Sequence, residues 1–135
     1  MANYAKSAGQ IFLVAVWINV SETIRWMLYS KSKFETLYQS KGLKLPGGPI
    51  NMVLWVIWGI VIASLVFVLA RRLTLMQATM LYWLAAFVTT WIILWNFDIL
   101  PLDMLWVVIP LSLFEIFIAT LISVKLQGQG SATKG

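Results

Sequence analysis

Hydrophobic residues fall into four long runs along this chain, at about 11–29, 52–70, 73–95 and 102–125, and polar residues gather in the gaps between them. As a helix rising about 1.5 Å per residue, each run is long enough to cross the roughly 30 Å hydrocarbon core of a bilayer. The second run carries no charge, and the fourth is apolar from Met104 to Val124 apart from Glu115, with Pro110 interrupting its backbone pattern. The pattern predicts an all-α integral membrane protein, an antiparallel four-helix transmembrane bundle forming one domain over residues 1–135.

The gaps refine this. The first run follows a lone Lys6, as the apolar core of a secretory signal would. Ser21-Glu22-Thr23-Ile24-Arg25-Trp26 stands where a small-residue cleavage site should be, so Ile11 to Tyr29 is expected to stay as a span. Ser30 to Pro49 is the only long polar stretch, with Lys31, Lys33, Lys41 and Lys44 interleaved with Phe34, Leu37 and Tyr38. That spacing suggests that the first helix runs on, or that it breaks into a basic amphipathic helix lying at the membrane interface between helices 1 and 2. Gly42 and Pro46-Gly47-Gly48-Pro49 end it as a turn, and Asn51 is placed to cap the second span.

Arg71-Arg72 leaves room only for a tight turn, which makes the second and third spans antiparallel neighbours. Asn96 to Asp103 forms the next loop, with Pro101 near the start of the fourth helix, and Gln127 to Gly135 is a Gly/Ser-rich stretch expected to be a flexible tail. Both termini are then on one side.

Composition sharpens the class. Of the 135 residues, 61% are hydrophobic and 11% charged, against roughly 25% charged in soluble domains. A chain this short has too little interior to hide that much apolar surface in water. Cysteine and histidine are absent, so no disulfide, thiol chemistry, His-ligated haem or Cys/His metal site is expected and no cofactor is implied. The redox compartment stays open. The net charge of +5 reads as basic residues touching anionic headgroups, with the lipid bilayer rather than nucleic acid as partner. Lys6, Arg71, Arg72, Lys125 and Lys134 fall on the N-terminal side, and Arg25, Lys31, Lys33, Lys41 and Lys44 on the other. That tie leaves the positive-inside rule with only a lean towards a cytoplasmic N-terminus, from the crowded arginine pair.

Three constellations could carry chemistry. Asn19, Glu22 and Arg25 follow one another at three-residue steps on the first helix. They form either a self-neutralised pair with Arg25 reaching to the headgroups beside Trp26, or the lining of a polar cavity. The second is Glu115, a carboxyl inside an apolar span, which costs roughly 2.5 kcal/mol or more to insert and so calls for a partner. It shares a narrow face with Ser112, Ala119 and Ser123, while Gly59 and Ala63 offer a small-residue surface on the second helix. Counting depth from the helix starts puts Asn19, Thr89 or Thr90 beside Glu115 and leaves Arg25 out of reach. Glu115 is then either a hydrogen-bonded structural acid or a proton or cation site. The third is the tryptophans: of eight, Trp26, Trp55, Trp58, Trp91, Trp95 and Trp106 fall towards one membrane side with Asp98 and Asp103 near the loop. They form either a lopsided lipid anchor or an aromatic vestibule with acids at its rim for a flat apolar molecule or organic cation.

No G-x-S-x-G, Gly-rich phosphate loop or HExxH is present, and no lysine lies inside a span to activate a serine, so catalysis is not expected. Four short helices with an acid (Glu22) in the first give the chain an architecture that resembles the small multidrug resistance transporters. It departs from them in its long basic first loop and in the Ser21-Glu22-Thr23-Ile24-Arg25 context of that acid. Three functions fit these residues. One is a small transporter or exchanger, coupled to protons or cations through Glu115 and Glu22. A bundle of four helices leaves little room for a pathway, so a homodimer is expected there. The others are a non-catalytic accessory subunit of a larger membrane complex, its acid answering an arginine on a partner, and a binding protein for an aromatic or apolar ligand.

Overall fold

The computed structural model describes residues 2–131, with side chains from 4 to 128. Among them every regular element is a helix, and four helical rods are long and apolar enough to cross a membrane. The first rod is α1 (Ala2–Arg25), a π turn (Trp26–Ser30) and α2 (Lys31–Ser40), without a break. The second is α3 (Pro49–Leu69). The third joins α4 (Leu75–Trp83) through another π turn (Leu84–Val88) to α5 (Thr89–Asn96). The fourth is α6 (Leu105–Ser131), entered by a 3₁₀ turn (Leu102–Met104).

Local chemistry sets the ends. Of the two sequence alternatives for the basic segment, the first helix runs on. It stops where Gly42 takes a left-handed φ of 68° and Leu43 N–H reaches back 2.9 Å to the Tyr38 carbonyl, a closure open to glycine because it has no Cβ. Asp98 ends α5 in the same way at φ 56°, one of the few residue types that tolerate it. The second helix starts at Pro49 rather than Met52, with Pro at N1, where its missing N–H goes unneeded. Asn51 is the third residue of the helix and its Oδ1 accepts from the Gly48 N–H at 3.1 Å. The third starts at Leu75 rather than Leu73, since Thr74 and Gln77 form a reciprocal capping box: Gln77 N–H donates to Thr74 Oγ1 at 3.3 Å and Thr74 N–H to Gln77 Oε1 at 3.2 Å. The tail expected from Gln127 onward is helical as far as Ser131; the rest of it, 132–135, lies outside the described residues. Gln127 Nε2 donates 2.9 Å to the Phe67 carbonyl and Gln10 Nε2 2.7 Å to the Leu126 carbonyl, so the residues at 126–127 are tied to two other helices.

One core gathers Val14, Ala15 and Ile18 of α1, Ile62, Ala63 and Val66 of α3, Tyr82, Phe87, and Ile116 and Ala119 of α6. A smaller one, Leu100, Met104 and Val108 with Tyr29 and Phe34 against it, fills the end where α2 meets the 97–104 loop. Gly59 allows a close approach: a Cβ there would lie 2.7 Å from the Cγ of Asn19, nearer than real Cβ atoms pack. The small surface of α3 therefore receives α1. Tyr82, buried, donates its hydroxyl 3.0 Å to the Ile62 carbonyl. Tyr82→Phe should cost about 0.5–1.5 kcal/mol in thermal unfolding, the worth of one hydrogen bond; an unchanged melting point would show that this bond contributes nothing.

Candidate functional site

Contacts between the first and fourth rods run from Gln10 with Leu126, through Trp17 with Glu115, to Lys33 with Asp103. In the middle of this seam sits a cluster of three ionisable side chains. Arg25 Nη1 donates 3.0 Å to Glu115 Oε2, and Arg25 Nη2 donates to Glu22 Oε1. All three are enclosed: the side chains of Arg25, Glu22 and Glu115 are 9%, 5% and 4% exposed.

The surroundings are aromatic. Phe87 presents its ring 5.3 Å from the Arg25 guanidinium carbon, a cation–π contact that offsets part of the cost of withdrawing the cation from water. Trp17 Nε1 donates 3.0 Å to the Glu115 backbone carbonyl, and Trp83 Nε1 donates 2.9 Å to the hydroxyl of Ser112, which is fully buried. Ser112 in turn donates 3.0 Å to the Ile109 carbonyl, just before Pro110. Glu115 Oε1 is buried and accepts no hydrogen bond from any described residue.

Both π turns border this cluster. One begins at the residue after Arg25 and the other carries Phe87. A π turn adds a residue to a helical turn and shifts the phase of everything beyond it by about 100°. Such turns recur at functional sites.

Glu22, Arg25, Glu115 and Ser112 thus come together, but the partner of Glu115 differs from the expected one. Asn19 donates instead to the Ala15 carbonyl at 2.9 Å and packs on Gly59. Thr89 and Thr90 are exposed and turn back onto the carbonyls of Ala85 and Ala86 in their own helix. The depth count failed because it compared backbone levels. Helical side chains lean towards their own N-terminus, so a long arginine leaning back along α1 and a glutamate leaning back along α6 close more than a turn between them.

The aromatic vestibule is not formed as expected. Trp55 stacks on Trp58 at 5.3 Å, Trp58 meets Phe87 edge-on at 6.1 Å, Phe87 meets Trp91 at 6.0 Å, and Trp91 meets Trp83 at 5.9 Å. This is a filled row of rings leading to Arg25 and Ser112, and it includes Trp83, which the sequence set apart. Trp106 and Trp95 point outward at 87% and 63% exposure. Trp26 packs on Phe34 of α2 at 5.6 Å. The phase shift at Leu84–Val88 turns Trp91 and Trp95 together, whereas Trp83 precedes it and Trp106 lies on α6. Asp98 and Asp103, expected at the rim of a ligand cavity, are paired with Lys41 and Lys33 and hold α2 against the 97–104 loop. Beside that strap lies an open cleft of about 420 Å³ lined by Lys33, Thr36, Leu37, Ser40 and residues 100–103. A shallower one of about 150 Å³ runs along Trp91 and Trp95.

No known protein family, curated protein or solved structure matches this chain. With both carboxyls ionised the triad carries one net negative charge, and one proton brings it to neutrality. No group of three or more acidic, histidine or cysteine side chains that could hold a metal ion occurs among the described residues.

Proposed function

We propose that this chain is a multi-pass membrane protein, an antiparallel four-helix bundle, in which Glu22, Arg25 and Glu115 form the proton- or cation-binding centre of a small transporter or exchanger working as a homodimer. The observation that carries this reading is the buried, unpaired Oε1 of Glu115 in a triad with one carboxyl more than its cations balance. An ionised carboxylate withdrawn from water without full compensation is costly, so binding and releasing one proton or small cation is the change of state such a centre favours. Counter-running contacts between the first and fourth rods support the antiparallel arrangement, with both termini at one end. Placing Arg25 inside the triad removes it from the loop count and leaves five basic residues against four, which supports a cytoplasmic N-terminus.

A second reading, an accessory subunit of a larger membrane complex, draws on the exposed apolar residues of α3, including Ile50, Leu54, Ile57, Val61, Leu65 and Val68. Its specific motive is weakened, because the acid expected to answer a partner's arginine has one in its own chain. An aromatic-ligand site is less supported still, since the rings expected to wall it pack on one another or point outward.

The test is proton movement into liposomes holding the purified protein, with tetraphenylphosphonium as a trial organic cation and a pH-sensitive dye inside. Glu115→Gln keeps the size of the side chain and an acceptor for Arg25 but cannot exchange a proton. It should reduce cation-dependent flux to that of empty liposomes. Flux at the unaltered rate in this variant would remove the triad from the mechanism.

A further inference from the structure

The charges of this protein are sorted by end. All five acidic residues, Glu22, Glu35, Asp98, Asp103 and Glu115, lie in the triad or towards the α2 end, where Lys31, Lys33 and Lys41 each pair with an acid. The opposite end collects Lys6, Arg71, Arg72 and Lys125, all exposed. Three side-chain contacts bring the helix ends that carry them together: Gln10 with the Leu126 carbonyl, Gln127 with the Phe67 carbonyl, and Arg71 Nη2 with Ser7 Oγ at 3.4 Å. Among the described residues no carboxylate pairs with any of the four. Along α6, Glu115 is about 15 Å from Lys125, and along α1, Glu22 is about 24 Å from Lys6.

Neutralising the carbonyl end of α3 would account for Arg71 and Arg72, but not for Lys6 and Lys125, which come from two other helices. Arg71 is also held in place: its guanidinium lies 4.5 Å over the buried ring of Phe67, which leaves its outward N–H groups free in the planar fork that suits phosphate oxygens.

We propose that this end is a docking surface for anionic phospholipid headgroups, with Arg71 as its fixed hydrogen-bond donor to phosphate oxygens and Lys6, Arg72 and Lys125 as the surrounding positive field. The inference rests on the membrane reading above. Each basic group near an anionic membrane surface strengthens attachment on the order of fivefold, and a surface with no acid among them keeps the whole of that gain.

The experiment is native mass spectrometry of the full chain in mixed micelles containing equal phosphatidylglycerol and phosphatidylcholine. The protein should retain phosphatidylglycerol preferentially. Arg72→Gln combined with Lys125→Gln, neither of which makes a side-chain hydrogen bond to a described residue, should cut that preference roughly 10- to 25-fold. Lys31→Gln combined with Glu35→Gln, a paired lysine and acid at the other end, should leave it unchanged. Thermal unfolding checks that both variants stay folded, and adding Arg71→Gln should reduce the preference further. Equal retention of the two lipids, or equal losses from the two ends, would overturn the proposal. A chain that stays in solution without detergent and retains neither lipid would instead overturn the membrane reading itself.

Discussion

Arg25→Leu should be the most damaging single substitution in this protein, lowering its stability by about 3–5 kcal/mol. The guanidinium bridges two enclosed carboxyls, one at three residues' distance in its own helix and one on α6. Removing it strands both while they are almost fully enclosed, and an uncompensated buried acid costs far more than the pair contributed. Replacing the whole cluster with apolar side chains of similar size (Glu22→Leu, Arg25→Met, Glu115→Leu) should be much milder, because no charge is left behind. Thermal unfolding followed by tryptophan fluorescence in one detergent compares the two. If Arg25→Leu costs under about 1 kcal/mol, or the triple variant is the worse of the two, the triad is not the electrostatic unit its geometry describes.

Gly59→Ala should come next, at about 1–3 kcal/mol. The added methyl would occupy space held by the Asn19 side chain, which is pinned by its hydrogen bond to the Ala15 carbonyl. Either that bond breaks or α1 and α3 separate. Asn19→Ala should restore most of the loss, and a double-mutant cycle should show a coupling of at least about 0.5 kcal/mol. Additive effects of the two substitutions would mean that α1 and α3 do not meet at this point. The same contact explains why Asn19 is drawn away from Glu115: its amide is committed to the helix–helix approach that glycine permits.

The four apolar rods, the turn at Gly42 and the suspicion attached to Glu115 were legible in the residues themselves. Each rests on a local quantity: the length of an apolar run, the turn preference of glycine, or the cost of a carboxyl among hydrocarbon side chains. The capping box of Thr74 and Gln77 was legible too, in the Ser/Thr-x-x-Glu/Gln spacing, but the arginine pair before it drew the boundary two residues early.

What the sequence determined by itself, then, is a chain of helices long and apolar enough to cross a membrane, with an acid inside the last that requires an answer. The tertiary structure alone decided which group answers it and which rings meet. Arg25 reaches Glu115 because a long side chain leans along its helix and two rods settle at one relative height, which no residue encodes in isolation. Trp83 joins the aromatic row and Trp106 turns outward on α6, while Trp95 turns outward beyond a π turn that rephases the third rod. A straight-helix count carries its angle forward unchanged, and one extra residue in a turn is enough to move every later side chain to another face.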